Sequence, residues 1–134
     1  MTLHPDSHLH VARVKQFGPG SESASVTLRS GQGEVIAFCF PCSANEGTRV
    51  PNRLHALDAP LLQAAYLDDW PASQRDLASM ERLDHVGNYA YSGCGKVVDA
   101  AEGLVVALGF VLDFGETPAG AEHVEFQVTR LDLR

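Results

Sequence analysis

Apolar and polar residues alternate one for one through several short runs of this chain, each closed off by glycine, proline or serine, and that rhythm restricts the runs to β-strands. In Leu9-His10-Val11-Ala12-Arg13-Val14-Lys15-Gln16-Phe17, a period of two assigns Leu9, Val11, Arg13, Lys15 and Phe17 to one face and Ala12 and Val14 to the other, before GPGS turns the chain. Ala24 to Ser30, with Val26 and Leu28 in phase, reads as a second strand. GQG then leads into EVIAFCF, a near-continuous apolar run suited to a strand covered on both faces. The short connections predict a meander over 9–42.

The middle of the chain has a different rhythm. DAPLLQAAYLDDW offers Asp58 as an N-cap, a proline in the first turn, and Leu61, Leu62, Ala65 and Tyr66 at helical spacing, with a stop at Trp70-Pro71. Ser73 and Asp76 resemble a capping box for a second short stripe of Leu77, Met80 and Leu83, so a helical insert is predicted over 58–83. Strands return over 85–134: GNYAYSGCGKVVDA, then LVVALGFVLDFG, then HVEFQVTRLDLR. In the last of these, Leu131 and Leu133 fall out of phase with Val124, Phe126 and Val128, which predicts a bulge or a change of environment near Arg130. Gly93, Gly95 and Gly109 suit tight coiling of the sheet. Residues 1–8 read as a flexible terminal segment, and Ser43 to Arg53 as the longest loop.

At 134 residues the chain has room for one domain around one core. Three strands, a helical segment, then two or three strands is an element order that resembles the five-stranded OB barrel over about residues 9–133. The resemblance is one of architecture and rests on no family motif. It implies a mostly β (α+β) fold, a small coiled β-barrel with a helical insert between two β halves. It assigns no function of its own.

A hydrophobic content of 45% excludes a disordered chain. No apolar run approaches the ~20 residues of a membrane span, and MTLHPDSHLH lacks the charged and apolar regions of a signal peptide. Three cysteines cannot all pair within one chain and read as reduced thiols, so a cytoplasmic protein with no membrane association is expected. The net charge of −7 is uneven: residues 1–53 hold five basic side chains against four acidic ones, and residues 54–134 hold five against thirteen. Such a balance disfavours generic nucleic-acid or membrane binding and attracts basic partners.

Cys39-Phe40-Pro41-Cys42 has the spacing of a redox or metal motif. A redox pair needs a helix N-terminus to lower a thiol pKa, and the following SANEGTRVPN has no helical period. Structural zinc needs four ligands, and the chain supplies this one pair, Cys94 as a third sulfur and a histidine as a fourth. If residues 39–42 stay extended, the two thiols face opposite ways, ~10 Å apart along the strand; they converge only if Phe40-Pro41 turns. The adopted reading is three separate, buried free thiols, with Cys39, Cys42 and Cys94 as the candidates for thiol or zinc chemistry and no cofactor expected. His4, His8 and His10 read as exposed terminal sequence, and His85 and His123 as surface or interfacial groups flanking the second β half.

No convergent catalytic set is present in the sequence. Cys94 lies between two glycines in SGCGK without a cysteine-hydrolase signature, Lys96 lacks phosphate-loop spacing, and the adjacent Asp68 and Asp69 read as solvated. The chain is therefore expected to bind rather than catalyse. The leading expectation is a protein-interaction module, of an inhibitor, immunity-like or accessory-subunit kind, whose acidic face of Asp68, Asp69, Asp113, Glu116, Glu122 and Glu125 meets a basic protein. The alternative is single-stranded nucleic-acid binding by Arg13, Lys15 and Phe17 with Arg29, Phe38 and Phe40 on neighbouring strands, cations for phosphates and rings for bases.

Overall fold

The computed structural model describes residues 5–133, so His4 and the first part of the terminal segment lie outside the described residues. The elements are β1 (His8–Gln16), β2 (Ala24–Arg29), β3 (Glu34–Cys39), β4 (Arg49–Pro51), β5 (Leu54–Leu57), β6 (Leu61–Ala64), α1 (Ala72–Ala78), β7 (Arg82–His85), β8 (Tyr91–Asp99), β9 (Leu104–Ala107), β10 (Phe110–Asp113), β11 (His123–Val128) and β12 (Arg130–Leu133). The fold is mostly β with a single helix among the described residues, as the alternating runs predict. Among the described residues no helix is long and apolar enough to cross a membrane.

The predicted meander is present: β1 pairs with β2 and β2 with β3, all antiparallel. One detail differs. The register of β1 on β2 slips between Val11 and Arg13, so Ala12 is an extra residue that shifts the alternation. Leu9 and Val11 point into the core, whereas Arg13, Lys15 and Phe17 come out on the exposed side instead of sharing their face.

The remaining strands extend this sheet in the order β4-β1-β2-β3-β12-β5-β10-β9-β8-β11-β6, with β7 added alongside β8. Hydrogen bonding runs from β4 to β6 and does not return on itself, so the expected closed barrel is an open sheet. One core cluster serves the whole sheet and draws on both halves, from Leu9, Val26 and Val35 to Phe110, Phe126 and Leu131. The change foreseen near Arg130 is a change of partners. β11 pairs with β8 and β6, while β12 pairs with β3 and β5, so successive residues bury against different strands.

The helical insert is largely replaced by strand. Leu61–Ala64 pairs with β11 from Gln127↔Leu61 to Val124↔Ala64, giving β11 the lateral neighbour its backbone requires and outweighing the helical spacing of the apolar residues. Asp58 has φ 56 and caps nothing. The helix starts after Pro71 with no side-chain cap, so Ser73 and Asp76 form no capping box, and Leu83 belongs to β7. No residue of α1 is buried. The run LVVALGFVLDFG is a hairpin, folded at Leu108 (φ 48) and Gly109 (φ 82) as a two-residue turn with both central residues left-handed. The long loop contains β4, which edges the sheet beside β1.

Candidate functional site

The slip at Ala12 decides what the outer face of the meander carries. Arg13 stands opposite Thr27, and Thr27 opposite Ile36; Lys15 stands opposite Ser25, and Ser25 opposite Phe38. Two cross-strand rows, each led by a cation, therefore lie side by side on the solvent face. Phe17, 59% exposed just past β1, closes one end.

The opposing wall comes from the segment between β7 and β8. Tyr89 stacks on Phe17 at 6.5 Å and 21°, and meets the edge of Phe38 at 5.9 Å; Phe17 and Phe38 meet edge to face at 5.7 Å. The Tyr89 hydroxyl also bonds Ser25 Oγ, fixing the segment to β2. His85 stacks on Tyr91 at 4.9 Å and its Nε2 donates to the Asn88 carbonyl at 3.0 Å. Tyr91 in turn accepts from the Ile36 amide at 2.8 Å, on the stretch of β3 that β12 leaves uncovered. Burial foremost raises the Tyr91 pKa, so the phenol stays neutral.

These elements enclose an open groove of about 470 Å³, lined by Arg13, Lys15, Phe17, Ser25, Thr27, Ile36, His85, Asn88 and Tyr89, with no carboxylate among them. Neither Arg13 nor Lys15 has an ion pair among the described residues. Behind Phe38 the Arg130 guanidinium lies 4.3 Å from the ring centroid and is held by Asp132 at 2.6 Å.

Of the six residues expected on a nucleic-acid face, Arg13, Lys15 and Phe17 line this groove and Phe38 joins its ring cluster. Arg29 and Phe40 do not. Arg29 pairs with Glu34 at 3.4 Å and borders a separate hollow with His8, His10 and Arg49, while Phe40 is exposed beyond the end of β3. The sequence reading gives Tyr89 and Asn88 no role, and it names His85 only as a surface or interfacial group and Arg130 only as the site of a bulge or change of environment. The sequence pattern places GNYAY in a strand, which hides that Tyr89 precedes β8 and reaches across to β2.

The acidic residues are divided. Asp68 and Glu122 border a hollow of about 190 Å³ with Tyr66, Arg75 and His123. Asp113 is already engaged, accepting from Arg53 Nη2 at 2.7 Å and from the Gly115 amide at 2.9 Å, with His55 at 3.7 Å. Burial works to raise the Asp113 pKa, but the hydrogen bonds from Arg53 and Gly115 outweigh it and hold the carboxyl below its ordinary value. Glu125 accepts from Gln63 on the neighbouring strand. Asp69 and Glu116 are exposed. In the hollow, the Tyr66 hydroxyl bonds His123 Nδ1 at 2.9 Å. Burial lowers the His123 pKa and raises that of Tyr66, which keeps both rings neutral.

All three cysteines are free, Cys39 and Cys94 buried and Cys42 partly exposed. β3 ends at Cys39 and the chain bends at Phe40–Pro41, a cis peptide, so residues 39–42 do not continue as one extended strand. Burial first, and then Cys42, pushes the Cys39 thiol up to about 12. Cys94 lies elsewhere, on β8, donating to the Ala78 carbonyl at 3.3 Å. No group of three or more metal-ligating side chains forms among the described residues, so the Cys39, Cys42 and Cys94 set is not assembled.

Comparison with protein-family models, with curated proteins and with solved structures returns no match.

Proposed function

We propose that this chain is a non-catalytic binding protein and that its ligand is a single-stranded nucleic acid seated in the groove between the β1–β3 face and Tyr89. The observation that carries the reading is the meeting of unpaired cations with aromatic rings: Arg13 and Lys15 lead two adjacent rows, the Lys15 row ends at Phe38, and exposed Phe17 and half-buried Tyr89 pack with Phe38 beside them. Stacking a base on such a ring contributes about 1–3 kcal/mol and needs the base free of its complement, which favours single strands over duplex. The likeness to an OB barrel enters at the same level, as a curved sheet face that accepts bases. A cytoplasmic setting belongs to this proposal as well.

The net charge of −7 limits the affinity. Two phosphate contacts, at Arg13 and Lys15, predict a log K against log salt slope of about −1.4, shallow for a nucleic-acid binder. Fluorescence anisotropy with labelled single-stranded and duplex oligonucleotides at low salt tests the proposal. Single strands bind, duplex binds more weakly, and Phe17→Ala or Arg13→Ala with Lys15→Ala removes the signal. No binding at about tens of micromolar protein, a limit set by weak non-specific affinities, would sink it.

A basic protein partner remains a second reading, favoured by one observation. Leu67, Leu77 and Met80 are exposed around α1, near Asp68, Asp69, Asp76 and Glu81, so apolar contact and negative charge occur together there. Binding of a basic peptide that survives Phe17→Ala but weakens with Leu77→Ser would favour that face over the groove.

A further inference from the structure

Arg29 stands outside the groove, and the strand register shows what it joins instead. Ser25, Thr27 and Arg29 share the outer face of β2, so the Arg29 row is the next one after the Thr27 row that Arg13 leads. That row crosses four strands: Arg49 on β4 stands opposite His10, His10 opposite Arg29, and Arg29 opposite Glu34 on β3. All four are exposed, and cross-strand partners share one side of a sheet. Strict alternation would put His10 and Arg13 on opposite faces; the extra residue Ala12 brings them onto the same one. Arg49, His10 and Arg29 also border one hollow of about 410 Å³, together with His8, Asp6 and Ser30.

We propose that the row of Arg49, His10 and Arg29 is a second phosphate-binding station, and that the nucleic acid lies along β1 with its phosphates over the cations and its bases toward Phe38 and Tyr89. The proposal rests on the single-strand reading of the groove and adds the path of the strand. Successive rows on one face lie ~7 Å apart, so a chain of nucleotides leaving the groove along β1 meets Lys15, then Arg13, then this row. Across the sheet the character changes: His10, Arg13 and Lys15 mark the β1 side, whereas β3 offers Ile36 and Phe38. Arg49 has no ion pair among the described residues. Arg29 meets Glu34 at 3.4 Å with both side chains about half exposed, a pair weak enough in water to yield Arg29 to a phosphate. Glu34, at the β3 end of the row, repels phosphates and keeps them on the β1 side.

The test is the salt dependence of binding to a labelled oligothymidylate of about 12 residues, within the usual site sizes of single-strand binders. The slope of about −1.4 counts the two cations of the groove; with Arg29 and Arg49 added it becomes about −2.8. Raising salt from about 50 to 200 mM should then weaken wild-type binding about 50-fold, but that of the Arg29→Ala, Arg49→Ala double variant only about 7-fold. Glu34→Gln, which removes the competing carboxylate, should bind more tightly than wild type, a gain that misfolding cannot imitate. Equal salt dependence in wild type and the double variant overturns the proposal, and so does a Glu34→Gln protein that binds no tighter. In both cases the groove reading survives. Wild-type protein that binds no oligonucleotide at low salt fails the groove itself, and this proposal with it.

Discussion

Asn52 shows how much one polar side chain can join. It is 8% exposed, and its Nδ2 donates to the carbonyls of Asp6 and Gly109, both at 2.8 Å, while its Oδ1 accepts from the Val111 amide at 3.0 Å. A single amide thus ties the entry to β1 to the turn and start of the β9–β10 hairpin. Asn52→Ala leaves three backbone groups without these partners, and we expect a loss of about 3 kcal/mol, read as a lower urea midpoint with an unchanged slope. Nothing in Val50-Pro51-Asn52-Arg53 distinguishes this residue from an ordinary turn asparagine, because its partners lie 46 to 59 positions away. Arg13, Lys15 and Phe17 were legible as a candidate set because they alternate along one strand. Tyr89 was not, since its contacts with Phe17 and Ser25 depend on the fold bringing distant segments together.

Strands with strict alternation could be read element by element, and β2, β3 and β11 stand where the periodicity put them. Leu61–Ala64 could not, because a short apolar run satisfies both periods and the free edge of β11 decides between them. The glycines of β8 are a similar case: their presence suggested tight coiling, but the reason for each is a neighbour. A Cβ on Gly95 would lie 2.5 Å from the Val106 carbonyl oxygen and 2.8 Å from Val105 Cγ1, both on β9. Gly95→Ala should therefore part β8 from β9 and cost about 1–3 kcal/mol in thermal or urea unfolding. Gly31→Ala, where nothing lies within 4 Å of the added carbon, should stay within about 0.5 kcal/mol and serves as the control.

For the molecule as a whole, class and core could be inferred from pattern and length, whereas the sheet's path could not. β12 lies parallel to β3 and antiparallel to β5, an insertion that no local signal announces. Global stability should also report on the half-buried His123. Burial holds the His123 pKa below 6.5, so the unfolded chain takes up protons here before the folded one. The contribution of His123 is then fully present above pH 6.5 and is lost as pH falls through its lower, folded value. Comparing unfolding midpoints of wild type and His123→Gln across this range should show a steeper acid-side decline for wild type. Parallel curves would mean that the imidazole titrates alike in both states.

Apart from β4, which pairs with β1, the meander of β1 to β3 reaches the other described strands of the sheet through β12. On a ribosome, then, β1 to β3 must wait beside an unfilled lane until residues 130–133 arrive. The sheet becomes continuous only once β12 has been made, whatever β1 to β3 have done before.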